Sequence, residues 1–196
     1  MSLVVHGFET SNNLKVRVAL GYKGLPFEFR KIDPGDRETV LSLTGQRLTP
    51  VLEHEGRVIF DSAAILRYLD ANFRDTPNLF GGDREEQWAI EAWERFGRGP
   101  LADPMMEVLR HRMRGGEVGE EMRARCSAEF AAAVAKIDAE LGERDWLVGG
   151  SLSAADVSTA PVCFRIRGAG MLDWPRGLDR VDAWVDRVLA FDPIGS

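Results

Sequence analysis

A proline inside a short apolar run, Leu48-Thr49-Pro50-Val51-Leu52, limits what this chain can fold into more than any other stretch. Proline donates nothing to a sheet ladder and is kept out of central strand positions. At the mouth of a strand the missing donor is not needed. A cis Thr49-Pro50 bond at that point is one way to turn the preceding backbone outward. The N–H and C=O of Thr49 are then free to pair with an extended peptide, as an added strand would. A turn at Glu55-Gly56 leads to a second strand, Val58-Ile59-Phe60, and then to Asp61-Ser62-Ala63-Ala64-Ile65-Leu66, which opens a helix. Ser62 reads as its N-cap, and its hydroxyl with the free N–H groups of the first turn forms an anion site. A strand-like edge beside an anion site suits a short peptide with a free carboxylate.

The surrounding segments give that site a scaffold. Leu3-Val4-Val5-His6-Gly7 reads as a buried strand, and Leu14 to Tyr22 as a helix closed by Gly24. Phe27 to Ile32 alternates apolar and charged residues with period two, as a strand does. Residues 37–45 read as a short helix, and Ser62 to about Phe73 as a longer one. The order β-α-β-α-β-β-α fits a thioredoxin-like unit over residues 1–75. Residues 76–82 have linker composition. Beyond them the apolar spacing is helical throughout: 83–98, 103–114, about 120–141, the segment after Ser153-Ala154-Ala155-Asp156, and 179–191. Ser153 and Asp156 have the spacing of a capping box. The expected architecture is therefore an α/β N-terminal thioredoxin-like domain plus an all-α C-terminal domain, residues 83–196.

Thr49-Pro50-Val51-Leu52 followed by Asp61-Ser62-Ala63-Ala64-Ile65-Leu66-Arg67-Tyr68-Leu69 resembles the glutathione-binding half of the cytosolic glutathione transferases. The family's usual form is Val-Pro-x-Leu, then Glu-Ser-x-Ala-Ile; here Thr replaces Val and Asp replaces Glu. The resemblance implies that Thr49, beside Pro50, holds the cysteinyl part of glutathione, and that Asp61 and Ser62 hold its γ-glutamyl end. It also implies a structural cap at Asp156 and a homodimer. The implied activity is that of an enzyme which stabilises the glutathione thiolate and adds it to a small electrophile, a transferase with glutathione as substrate. Glutathione-dependent isomerisation or disulfide reduction on the same site is an alternative, as is a transferase-like scaffold that only binds partners.

Thiolate chemistry needs a donor, since a free thiol with a pKa of about 8.5 is only a few per cent ionised at pH 7. A hydroxyl or amide at a helix N-terminus supplies one. The turn before the first helix offers Thr10, Ser11 and Asn12. Aligning Lys15-Val16-Arg17 with the family's Lys/Arg-Val motif puts Thr10 at the catalytic serine position. A shift of one residue selects Ser11. The Thr-Pro-Asn form of some bacterial members points to Asn12. All three also suit plain helix capping. The turn holds no cysteine, which disfavours chemistry through a protein mixed disulfide. The electrophile is expected between the halves, near Met105, Met106, Leu109 and Arg112, where methionines suit a permissive pocket and, at helical spacing, equally suit core packing.

Composition narrows the partners. The net charge is −6 and the pI near 5.2, which argues against nucleic acid or an anionic membrane. No run has the length of a transmembrane helix, and the start of the chain lacks signal-peptide form. Cys126 and Cys163 lie far apart, and no metal-ligand spacing occurs, so no metal is expected. A cytoplasmic setting follows from this cysteine usage. His6 is expected to be packed in its strand, His54 exposed in a turn, and His111 on a solvated face.

Overall fold

The computed structural model describes residues 2–195. The chain divides into two compact units. One runs to Phe80 and includes the segment from Leu189 onward; the other is Gly81–Val188.

The first unit holds β1 (Leu3–Gly7), α1 (Ser11–Tyr22), β2 (Phe27–Lys31), α2 (Glu38–Thr44), β3 (Val51–His54), β4 (Arg57–Phe60) and α3 (Ser62–Asn72). The sheet order is β2-β1-β3-β4, with β1 parallel to β2 and antiparallel to β3, and β3 antiparallel to β4. This is the mixed sheet and element order expected of a thioredoxin-like unit. Strand alternation sorts the faces. Val51 meets Ile32, Val40, Leu43 and Val58 beneath α2. Leu52 and His54 point the other way, and His54 Nδ1 lies 2.8 Å from the Tyr68 hydroxyl on α3. The Thr49-Pro50 bond is cis. Sheet pairing begins at Val51, so Thr49 takes no part in the ladder.

In α1 the apolar residues Leu14, Val16, Val18 and Leu20 alternate as in a strand. The segment is helical because Thr10 caps it and because it is buried on every side, with Asn13 to Leu20 all inaccessible. Full burial makes its charges costly unless they are paired. Arg17 donates from Nε to Asp192 Oδ1 at 3.0 Å and from Nη1 to Glu9 Oε1 at 2.7 Å, with a second ion pair to Asp192 through Nη2. Asp192 belongs to the last eight residues of the chain. Residues 189–195 therefore pack with the first unit, although the domain expected from the sequence, 83–196, includes them. The 76–82 segment is likewise less free than its composition suggests. Leu79 is fully buried, its N–H donates to Asp70 Oδ1, and Lys23 Nζ ties Asp70 to the Pro77 carbonyl.

His54 departs from expectation. It is buried at the end of β3, packed between Tyr68 and Phe73. The turn is at Glu55-Gly56, as the sequence implied, and His54 lies before it as the last residue of β3.

The second unit is helical: α4 (Arg84–Arg98), α5 (Asp103–Met113), α6 (Glu120–Leu141), α7 (Ala154–Ala169) and α8 (Asp179–Leu189). The helix α7 is its centre, buried from Ala154 to Cys163. It packs closely on α4 at Gly97, where a Cβ would stand 2.9 Å from the Ser158 carbonyl oxygen. The capping box is formed as expected. Asp156 also accepts from Leu147 N and from Trp184 Nε1, both at 2.9 Å, so one carboxylate ties the preceding turn and α8 to α7. Among the described residues no helix is long and apolar enough to cross a membrane.

Candidate functional site

Sequence-distant residues meet at a 260 Å³ cavity in the first unit. Asn12, Thr49, Pro50, Asp61 and Ser62 line it, all of them candidates from the sequence. Gln46, Leu48 and Phe60 complete the wall and were not foreseen. Leu48 is 64% exposed in the structure, and in the sequence it reads as one more residue of the apolar run, with no signal that marks it.

On one side is the N-terminus of α3. The sequence suggested Ser62 as its N-cap; the structure gives that place to Asp61. Its backbone has φ 71°, and its Oδ1 accepts from Ala63 N at 2.8 Å and Ala64 N at 3.3 Å. Ser62 is instead the first helical residue and is buried. A carboxylate binds backbone amides more strongly than a hydroxyl does, which is why the acid takes the cap. The change alters the chemistry. The helix end already carries an anion, so it presents a negative charge suited to an ammonium group. Ser62, beside it, keeps a hydroxyl and an amide ahead of the two that Asp61 uses.

On the other side is the N-terminus of α1. Thr10 is its N-cap, with extended backbone, and its Oγ1 accepts from Asn13 N at 3.3 Å. Ser11 and Asn12 are the first two helical residues, and of the three only Asn12 reaches the cavity wall. The first turn of this helix contains no acidic residue. Its partial positive charge is thus unneutralised, the condition that favours an anion such as a thiolate.

Asn13 is the residue that sequence reasoning passed over. Its amide nitrogen donates to Thr10 Oγ1 at 2.7 Å and to Thr49 Oγ1 at 2.9 Å. One buried side chain thereby joins the cap of α1 to the residue before the proline. Its Oδ1 lies against Gly7, where a Cβ would approach to 1.6 Å. Asparagine in a turn of cap residues looks interchangeable with its neighbours in sequence; only the return of Thr49 to the same point sets it apart.

Met105, Met106, Leu109 and Arg112 lie on α5 in the second unit. Met105 is buried among the core residues of that unit, Leu109 is half-buried, and Met106 and Arg112 are exposed. His111 Nε2 lies 3.0 Å from the Glu117 carbonyl oxygen. Both cysteines are buried, and burial pushes the Cys163 thiol up to about 12. Among the described residues no cluster of His, Cys, Asp or Glu is placed to hold a metal ion.

Comparison with known proteins bears on this geometry. A family model described as the glutathione S-transferase N-terminal domain matches residues 5–77, and one described as the glutathione S-transferase C-terminal domain matches residues 120–187. A probable glutathione S-transferase, GSTU1, from Oryza sativa subsp. indica is 29% identical over 197 residues, covering 93% of this chain and 82% of the relative. A glutathione S-transferase from Methylobacterium radiotolerans, solved with glutathione sulfonate, is 26% identical with a TM-score of 0.81, over 98% of this chain and 94% of that one. Rice GST1, solved with glutathione, is 28% identical with a TM-score of 0.79, over 94% and 86%. With both of its halves matched, and the fold matched nearly end to end, the chain belongs to the glutathione S-transferase family.

Proposed function

We propose that the protein is a glutathione transferase that binds glutathione in the first-unit cavity, with its thiol at the N-terminus of α1. The observation that carries this reading is the pairing of two unlike helix ends at one 260 Å³ cavity. The α3 end, with Asp61 as cap, matches the α-amino group of the γ-glutamyl moiety, and Ser62 matches its carboxylate. The Thr49-Pro50 segment, outside the ladder, offers main-chain pairing to the cysteinyl residue. The α1 end, with no acidic residue in its first turn and with Glu9 engaged by Arg17, matches the thiolate.

In this reading the bound thiol releases its proton to solvent water, and Thr10 donates a hydrogen bond to the sulfur anion, with Ser11 and Asn12 as the neighbouring candidates. The thiolate lone pair then forms the sulfur–carbon bond to the electrophile, and the electron pair of the broken bond leaves with the departing group. Stabilising the nucleophile is the protein's main contribution. No protein thiol is required, and the cysteines sit buried in α6 and α7, which favours conjugation over exchange through a protein disulfide. Glutathione is a substrate in this reading. The second substrate is a small electrophile, and we assign its recognition to Met106, Leu109 and Arg112 of α5, Met105 being buried in the core of its unit.

The functional form is a cytoplasmic homodimer. Its support is the α4–α6 face of the second unit, where Trp88 is 62% exposed and Trp93 and Phe96 line a 320 Å³ groove with Lys136. Sedimentation tests the dimer. Turnover of a halogenated nitrobenzene with glutathione tests the activity: saturable conjugation supports the reading, and glutathione binding without turnover contradicts it.

A further inference from the structure

Asn13 is fully buried and stands behind the cavity wall, out of reach of a ligand. It nonetheless bonds to Thr49, which lines the cavity, and to Thr10, the cap of the helix whose first turn reaches the cavity wall. We propose that Asn13 is a positioning residue, which fixes the direction of the Thr10 and Thr49 hydroxyl protons and so makes both available to bound glutathione. This inference rests on the glutathione reading above.

The argument begins with the orientation of the carboxamide. Its nitrogen carries two hydrogens, and both are used, at 2.7 and 2.9 Å. Its oxygen has no hydrogen-bond partner among the described residues and faces Gly7. Turning the amide round would set two hydrogens against Gly7 and leave both of them unpaired. One unpaired acceptor is the smaller cost, so the observed orientation is the stable one.

That orientation dictates what the threonines do. A hydroxyl has one proton and two lone pairs. Thr10 Oγ1 accepts from Asn13 Nδ2 and also from Asn13 N, at 3.3 Å. Both lone pairs are taken and its proton has no use toward Asn13, so it is left for an acceptor in the site. Thr49 Oγ1, accepting from the same nitrogen, is constrained in the same sense. An aspartate at this position would have nearly the same shape but could only accept. Both threonines would then turn their protons inward, away from the ligand. The requirement extends to Gly7, since any Cβ there would overlap the amide oxygen.

The test is the ionisation midpoint of bound glutathione, followed by ultraviolet difference spectroscopy across pH. In Asn13→Asp the midpoint rises by roughly one to two pH units. Thr10→Ala produces a similar rise, and adding Asn13→Asp to Thr10→Ala produces little more, because Asn13 acts through Thr10. A merely structural residue would change the melting temperature and the glutathione affinity but not the midpoint. If Asn13→Asp does not fold, Asn13→Ala, which is uncharged and lets the hydroxyls rotate, carries the same test with a smaller rise. Proton NMR of the unaltered protein reads the bridge without any substitution: both side-chain amide hydrogens of Asn13 are expected to exchange slowly. An unchanged midpoint in the Asn13 variants, a full additional rise in the Thr10→Ala background, or fast exchange of those hydrogens overturns the proposal. Absence of glutathione binding by the unaltered protein would instead overturn the reading it rests on, and the two failures are distinct.

Discussion

Arg17 and Asp192, 175 positions apart, form a fully buried ion pair that joins the middle of α1 to the end of the chain. Burial disfavours the charged guanidinium, while the bonds to Asp192 and Glu9 raise its pKa and hold it charged. Glu9 is 44% exposed and cannot replace a partner that is wholly enclosed. Asp192→Ala leaves a buried cation short of its main partner and is expected to cost about 3–5 kcal/mol. Denaturant unfolding measures it. Because α1 carries the proposed thiolate end of the site, glutathione affinity should fall as well.

Asp156 is the corresponding residue of the second unit. Burial raises its pKa, and the donors from Leu147, Ser153 and Trp184 act in the opposite direction. Asp156→Ala would strand those donors in the core, at an expected cost of at least about 3 kcal/mol. Asp156→Asn keeps one acceptor but sets an amide hydrogen against Ser153 N, and should fall between the two in thermal unfolding.

Cys163 gives a dependence on pH. Its thiol keeps its proton in the folded chain up to about pH 12, whereas an ordinary one loses it near 9.0. Between those values only the unfolded chain releases the proton, so rising pH favours unfolding by about 1.4 kcal/mol per pH unit from this group. Below about pH 8 it contributes no pH dependence. Relative to Cys163→Ala, the unaltered protein should lose about 1 kcal/mol more stability between pH 9 and pH 10, and about 1.4 kcal/mol more between pH 10 and pH 11. The thiol should also resist alkylation at pH 8 until the protein is unfolded.

Asp61 separates capping from binding. Asp61→Asn retains an acceptor for Ala63 N and Ala64 N but removes the charge. Glutathione should bind roughly ten to a hundred times more weakly, the worth of one charge-assisted hydrogen bond. A glutathione analogue lacking the α-amino group should bind both proteins alike, as calorimetric titration would show.

Much of this was legible in the sequence because local signals and chain order agreed. The proline strand, the acid-serine pair and the helical spacing after residue 83 each imply one local structure, and their sequence admits few ways of assembly. What escaped depended on partners distant in the chain. Asn13 is defined by Thr49, Arg17 by Asp192, and His54 by Tyr68 and Phe73. The cap at Asp61 was misread by one residue, because acid and serine are both good caps and only the backbone at φ 71° decides between them. The α1 pattern shows no helical face, because the helix is buried on all sides.

The most direct measurement is the ultraviolet difference titration of bound glutathione from pH 5 to 9, in the unaltered protein and in Thr10→Ala, Ser11→Ala and Asn12→Ala. The account predicts a midpoint one or two pH units below the free thiol value of about 8.5, with the largest return toward that value in Thr10→Ala. Glutathione that binds with an unshifted midpoint, or a shift that survives in Thr10→Ala, would contradict it.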